Sequence, residues 1–144
     1  MRGRTSSELL SRPVRLSGIQ VGRPVDLVLD PSAARVLGLE VRCGDGADRF
    51  VPLVATRLHD GEIAIGSSLM LLDEIAFYRA RGKTLGALRG AKVTRGRRPL
   101  GTLRDVAFGS DGEICELLVA APSGELRVRP GADVRVAAPR ASAA

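Results

Sequence analysis

Few side chains in this sequence are equipped for chemistry, and their surroundings decide what each can do. His59 is the only histidine, in the turn-forming triplet His59-Asp60-Gly61. A metal centre or an acid–base triad needs further groups of this type, so the ring is read as solvated. Cys43 and Cys115 are the only cysteines. Two thiols fall short of a disulfide framework or a zinc site, and both are read as reduced structural residues. Asp26 and Asp105 sit in matching contexts, Val25-Asp26-Leu27 and Arg104-Asp105-Val106. A catalytic carboxylate pair would share one cleft with one carboxyl raised in pKa. Their expected role is instead to accept backbone N–H bonds beside a long strand, which aspartate does readily. Gly22 and Gly101 open no helix, as a phosphate-binding loop would, and are read as marking a bulge or a close backbone approach. No catalytic residue, metal ligand or cofactor is expected.

Arginine supplies the remaining chemistry. The formal net charge is +6, and Arg89, Lys92, Arg95, Arg97, Arg98 and Arg104 crowd one stretch. Arg95, Arg97 and Arg98 share an expected loop, where guanidinium forks can grip phosphate or carboxylate. Three readings stand open: nucleic acid, an acidic protein partner, and a solvated basic face. Aromatic residues, on which single-stranded bases stack, make up 3% of the chain, which weighs against the first.

The elements that must position these residues are written twice. A shift of 79 sets Val14 on Val93, Gly22 on Gly101 and Asp26 on Asp105. One residue fewer in the first copy's turn makes the shift 78, which sets Val36 on Ile114, Val41 on Val119, Phe50 on Val128, Arg49 on Arg127 and Pro52 on Pro130. A period this long means two similar modules, since solenoid repeats run roughly 20–50 residues. The modules are expected over 8–66 and 83–137, joined by 67–82, with 1–7 and 138–144 as flexible tails. Each is small enough that packing on its twin, or on another molecule, helps it fold.

Period-two alternation and turn residues predict short strands at Arg12–Leu16, Val21–Asp30, Val36–Val41, Arg49–Val54 and Glu62–Ile65 in the first copy. Val25, Leu27 and Leu29 are expected on its buried face, and Pro31-Ser32 in a turn. The second copy predicts strands at Ala91–Thr94, Leu100–Phe108, Ile114–Ala121, Glu125–Arg129 and Val134–Ala137. Between them, 73–82 has acids first, arginines last and a closing glycine, an order that suits a helix dipole and a glycine cap. The segment Leu69–Leu72 can alternatively extend the last strand of the first copy. The fold class expected is all-β, two tandem small barrels joined by a short helical linker. A closed barrel would leave no exposed strand edge.

The order valine, turn, apolar-Gly, Asp-apolar-x-apolar, turn, apolar strand, and a strand ending in proline resembles the PRC-barrel family. In the second copy it reads Val93, Leu100-Gly101, Asp105-Val-Ala-Phe108, Ser110-Asp-Gly112, Ile114–Val119 and Pro130. In the first it reads Val14, Val21-Gly22, Asp26-Leu-Val-Leu29, Val36–Val41 and Pro52, with Pro31-Ser-Ala-Ala34 replacing the Asp-Gly turn. The resemblance implies a small all-β barrel, no catalytic residues, and docking onto a larger assembly. The function expected is a non-catalytic, cytoplasmic interaction or scaffold module with an acidic protein partner. The alternative is an RNA- or ribosome-associated maturation factor using the basic loop. No transmembrane segment is expected, and a homodimer is compatible with the sequence.

Overall fold

The computed structural model describes residues 4–30 and 34–137. The expected turn at Pro31-Ser32 and the tail 138–144 lie outside the described residues. The first half runs β1 (Arg4–Thr5), α1 (Ser6–Leu10), β2 (Val14–Leu16), β3 (Ile19–Leu29), β4 (Val36–Cys43), β5 (Asp48–Pro52), a 3₁₀ turn (Leu53–Ala55), β6 (Thr56–Leu58) and β7 (Ile63–Ile65). A 3₁₀ turn (Ser68–Met70) and α2 (Ile75–Arg81) form the linker. The second half runs β8 (Lys83–Thr84), α3 (Leu85–Leu88), β9 (Lys92–Arg95), β10 (Arg98–Phe108), β11 (Ile114–Ala121), β12 (Gly124–Val128) and β13 (Val134–Val136).

The strands form two sheets, ordered β5-β4-β3-β2-β7-β6 and β12-β11-β10-β9-β13. The protein is all-β, with two barrel-like sheets and a helical linker. Each sheet is built on a long strand of 11 residues, β3 and β10. Tight hairpins feed both. Ser17 and Gly18 take φ of 51° and 80° between β2 and β3, and Gly96 takes 59° between β9 and β10, the left-handed values such turns demand. The ladders do not close. A 3₁₀ turn at Leu53–Ala55, with Leu53 buried, occupies the corner between β5 and β6.

Half of each long strand outruns its hairpin partner. β2 pairs with β3 only as far as Gly22, and β9 with β10 only as far as Thr102. The far halves are completed by an exchange. β1 pairs with β10 at Ala107 and Phe108, and β8 pairs with β3 at Val28 and Leu29. The opening strap of each copy therefore closes the sheet of the other. This corrects two expectations. Residues 4–7 are ordered β1 and α1, because β10 has an unpaired edge for them. Residues 83–88 belong spatially to the first sheet.

The two halves share one apolar core. It holds Leu27, Leu39 and Val41 from the first, Leu103, Leu117 and Val119 from the second, and Leu9, Leu85 and Leu88 from the straps. Reciprocal hydrogen bonds mark a local two-fold relation: Val36 N donates to Gly112 O at 2.7 Å, and Ile114 N donates to Ala34 O at 3.0 Å. Gly112, at φ 89°, sits where a Cβ would lie 2.6 Å from Val36 O.

Three details depart from the sequence reading. A bulge between Pro24 and Asp26 turns Val25 outward to 39% exposure. The first hairpin loop spans 44–47 but the second only 122–123, so Leu39 faces Val51 while Leu117 faces Val128. Over this strand the ladder matches Val51, not Phe50, with Val128, and Pro130 lies beyond β12 whereas Pro52 ends β5. Finally, Gly82 ends α2 with φ −129°, not a left-handed cap. It is small because Leu29 O and Val28 crowd it. Leu69 and Leu71 extend no strand, while Leu72 makes an isolated bridge to Phe50. Among the described residues no helix is long and apolar enough to cross a membrane.

Candidate functional site

Asp26 and Asp105 each follow the bulge in a long strand and turn to the outer face of their sheet, where the other copy's strap lies. Asp105 is buried and accepts from Ser6 N at 3.2 Å, Ser7 N at 3.3 Å, Ser7 Oγ at 2.7 Å and Val106 N at 2.7 Å, as well as from Ser6 Oγ. Asp26 accepts from Gly86 N at 3.1 Å and Leu27 N at 2.8 Å. Each carboxylate thus clasps the first turn of a strap helix while bonding its own backbone. Burial pushes the Asp26 carboxyl above its ordinary value, against the lowering pull of the Leu27 and Gly86 N–H groups.

The straps are themselves capped. Thr5 accepts from Glu8 N at 3.2 Å, and Thr84 accepts from Ala87 N at 3.2 Å. Val14 and Val93 are fully buried, facing Gly22 and Gly101 across their ladders. Those glycines permit close approach to the next strand. A Cβ on Gly22 would stand 2.7 Å from Arg42 O, and one on Gly101 would run into Ala120 O.

The six basic residues do not form one patch. Arg95 and Arg98 face each other across the ladder, with Gly96-Arg97 as the turn, so Arg95, Arg97 and Arg98 share a hairpin tip. Arg95 Nε lies 3.8 Å from Asp133 Oδ2. Lys92 lies lower on the hairpin, opposite Thr102. Arg89 and Arg104 instead rim a hollow of about 870 Å³ on the outer face of the second sheet, with Thr102, Leu118, Ala120 and Glu125.

The matching hollow of the first sheet is about 480 Å³ and includes Asp26, Glu40, Arg79 and Thr84. It differs because α2 lies across that face. Arg79 forks onto buried Glu40, Nε to Oε1 at 2.5 Å and Nη2 to Oε2 at 3.0 Å. The hydrogen bond to Glu40 holds the guanidinium above its ordinary pKa. Tyr78 stacks on Phe50, ring centroids 3.9 Å apart. In the second sheet the counterpart of Glu40 is Leu118, opposite Asp105 as Glu40 is opposite Asp26. Among the described residues no helix covers it as α2 covers Glu40.

His59 sits in its turn, with its N–H on Glu62 O at 3.0 Å and its carbonyl taking Arg12 Nη1 at 2.8 Å. Cys43 is buried and Cys115 exposed. Among the described residues no group of three or more His, Cys, Asp or Glu is placed to hold a metal ion. Sequence reasoning missed the strap residues and the Glu40–Arg79 pair. The strap signal was present as Thr5-Ser-Ser-Glu8, a helix-start pattern, and as the recurrence of Thr5 and Leu9 at Thr84 and Leu88.

The geometry defines a class: a duplicated all-β protein with exchanged straps and one covered and one open sheet face. No protein-family model and no curated protein matches the chain.

Proposed function

We propose that this chain is a non-catalytic, PRC-barrel-like docking module that seats an acidic segment of a larger protein assembly. The seat is the hollow on the outer face of the second sheet. The observation that carries this reading is the asymmetry between two equivalent faces. In the first half a helix lies on the sheet, held by an arginine–carboxylate fork and an aromatic stack. In the second half the same face offers an apolar floor, Leu118 and Ala120, beneath two arginines, Arg89 and Arg104. The charges are placed differently: in the covered half the sheet supplies Glu40 and the helix Arg79, whereas in the open half Arg104 on β10 and Arg89 after α3 stand in one hollow with Asp105 and Glu125. An occupant with a carboxylate beside an apolar side chain complements it.

A photo-crosslinking residue at Thr102 tests this in cells. A discrete crosslinked product, lost when Arg89 and Arg104 are both changed to glutamate, supports the reading. A crosslink pattern no different from that of a probe at His59 refutes it.

The hairpin tip favours a second reading, an RNA- or ribosome-associated factor, because Arg95, Arg97 and Arg98 are exposed together there. Phosphate binding by such a tip weakens steeply with salt. Sedimentation with ribosomes at low salt, lost in the triple alanine variant, supports it. Absence from the ribosomal fraction at low salt removes it.

A further inference from the structure

We propose that two copies of this chain associate by pairing β12 with β12, antiparallel, about a two-fold axis through Leu126. Three observations place the contact. First, β12 is the edge of its sheet, and among the described residues no strand or bridge pairs its outer side. Gly124, Glu125, Leu126 and Arg127 are all exposed. An uncovered edge is a template for another strand. Second, the corresponding edge of the first sheet is capped from within the chain. Phe50 N donates to Leu72 O at 2.9 Å, and Leu72 N donates to Phe50 O at 2.8 Å. The fold already closes one such edge with an antiparallel segment.

Third, β12 is complementary to itself in one register only. An axis at Leu126 sets Glu125 opposite Arg127 of the other copy, twice, and Leu126 opposite Leu126. It also sets Gly124 opposite Val128, where the missing side chain leaves room. An axis at Glu125 or Arg127 would instead bring like charges face to face, which destabilises a strand pair. Leu126, 39% exposed and facing buried Val119 across its own ladder, would be covered on the core side. Arg127 now reaches Glu116 at 3.3 Å, an ion pair between an exposed arginine and a half-buried glutamate at the surface that yields readily to a new partner. The contact is isologous, so it closes at two copies. Of the pairing residues, only Glu125 also rims the Arg89–Arg104 hollow, and Arg127→Glu leaves that hollow's lining unchanged.

The test is sedimentation velocity over a broad concentration series, with melting curves confirming that each variant is folded. The unchanged chain is expected to show a reversible monomer–dimer equilibrium. Glu125→Arg alone and Arg127→Glu alone each turn two attractive pairs into two repulsive ones. Each should raise the dissociation constant at least about tenfold. The double variant E125R/R127E restores opposite charges and should restore the dimer. The two single variants, mixed, should form a heterodimer, since each then meets its complement. A monomer at every concentration, a dimer indifferent to the single changes, or a failure of both the double variant and the mixture to recover association would overturn the proposal.

Discussion

Changing Asp105 to alanine removes the acceptor that holds the opening strap to the second sheet. Four donors besides its own strand backbone lose their partner: the N–H and hydroxyl groups of Ser6 and Ser7. Losing a helix-start acceptor costs about 1 kcal/mol. Ser6 is fully buried, so its stranded donors add ~1–3 kcal/mol. The expected loss is about 3 kcal/mol, which lowers the melting temperature of a chain this long by roughly 6–12 °C. Urea unfolding monitored by circular dichroism measures the global change. Amide hydrogen exchange separates mechanism from magnitude, because Ser6 and Ser7 should exchange early while β11 stays protected. The same change at Asp26 should cost less, about 1 kcal/mol, since Gly86 brings no hydroxyl and Asp26 is only partly buried. A D105A variant within about 0.5 kcal/mol of the unchanged protein, or one less affected than D26A, would refute the clasp.

Arg79→Ala should cost about 2 kcal/mol in urea unfolding, because it leaves the buried Glu40 carboxylate without its fork. Glu40→Leu, which copies the Leu118 arrangement, should cost clearly less. Gly101→Ala, at φ 147° and against Ala120 O, should cost at least about 3 kcal/mol in the same assay, and more than Gly22→Ala. The Asp26 carboxyl titrates above its unfolded value of 3.8, so the folded state takes its proton first. Its contribution to stability rises as pH falls through the folded value and is at its lowest above it. Unfolding of D26N beside the unchanged protein should show that difference appearing on the acid side of neutrality. Asp45 runs the other way. Arg49 holds it down to about 2, so its stabilisation is present above 3.8 and is lost as pH falls toward about 2, which a carboxyl NMR titration can follow.

The long strands and β11 were legible because their apolar residues alternate or run together between glycine and aspartate turns. The predicted span Ile114–Ala121 is the observed one. The backbone role of Asp26 and Asp105 was legible too, since a short carboxylate repeated beside a strand has little else to bond. The straps were not. Two-residue strands and one-turn helices are too short to show a period, and Ser6 finds Asp105 across 99 positions. Nothing in a local pattern reports so distant a partner. The bulges at Val25 and Arg104 were hidden for a related reason: one extra residue inverts the faces of everything before it. That inversion, with the hairpin's length, divides five of the six basic residues between a tip and a hollow and leaves Lys92 apart from both.

The traded straps bear on how such a molecule came to be one chain. A polypeptide with a single copy would carry a strap whose matching clasp lies on a twin, so its natural state would be a swapped pair. Joining the genes end to end turns that encounter into an intramolecular event at high effective concentration. It also frees the halves from sameness: one half carries Glu40 where the other holds Leu118.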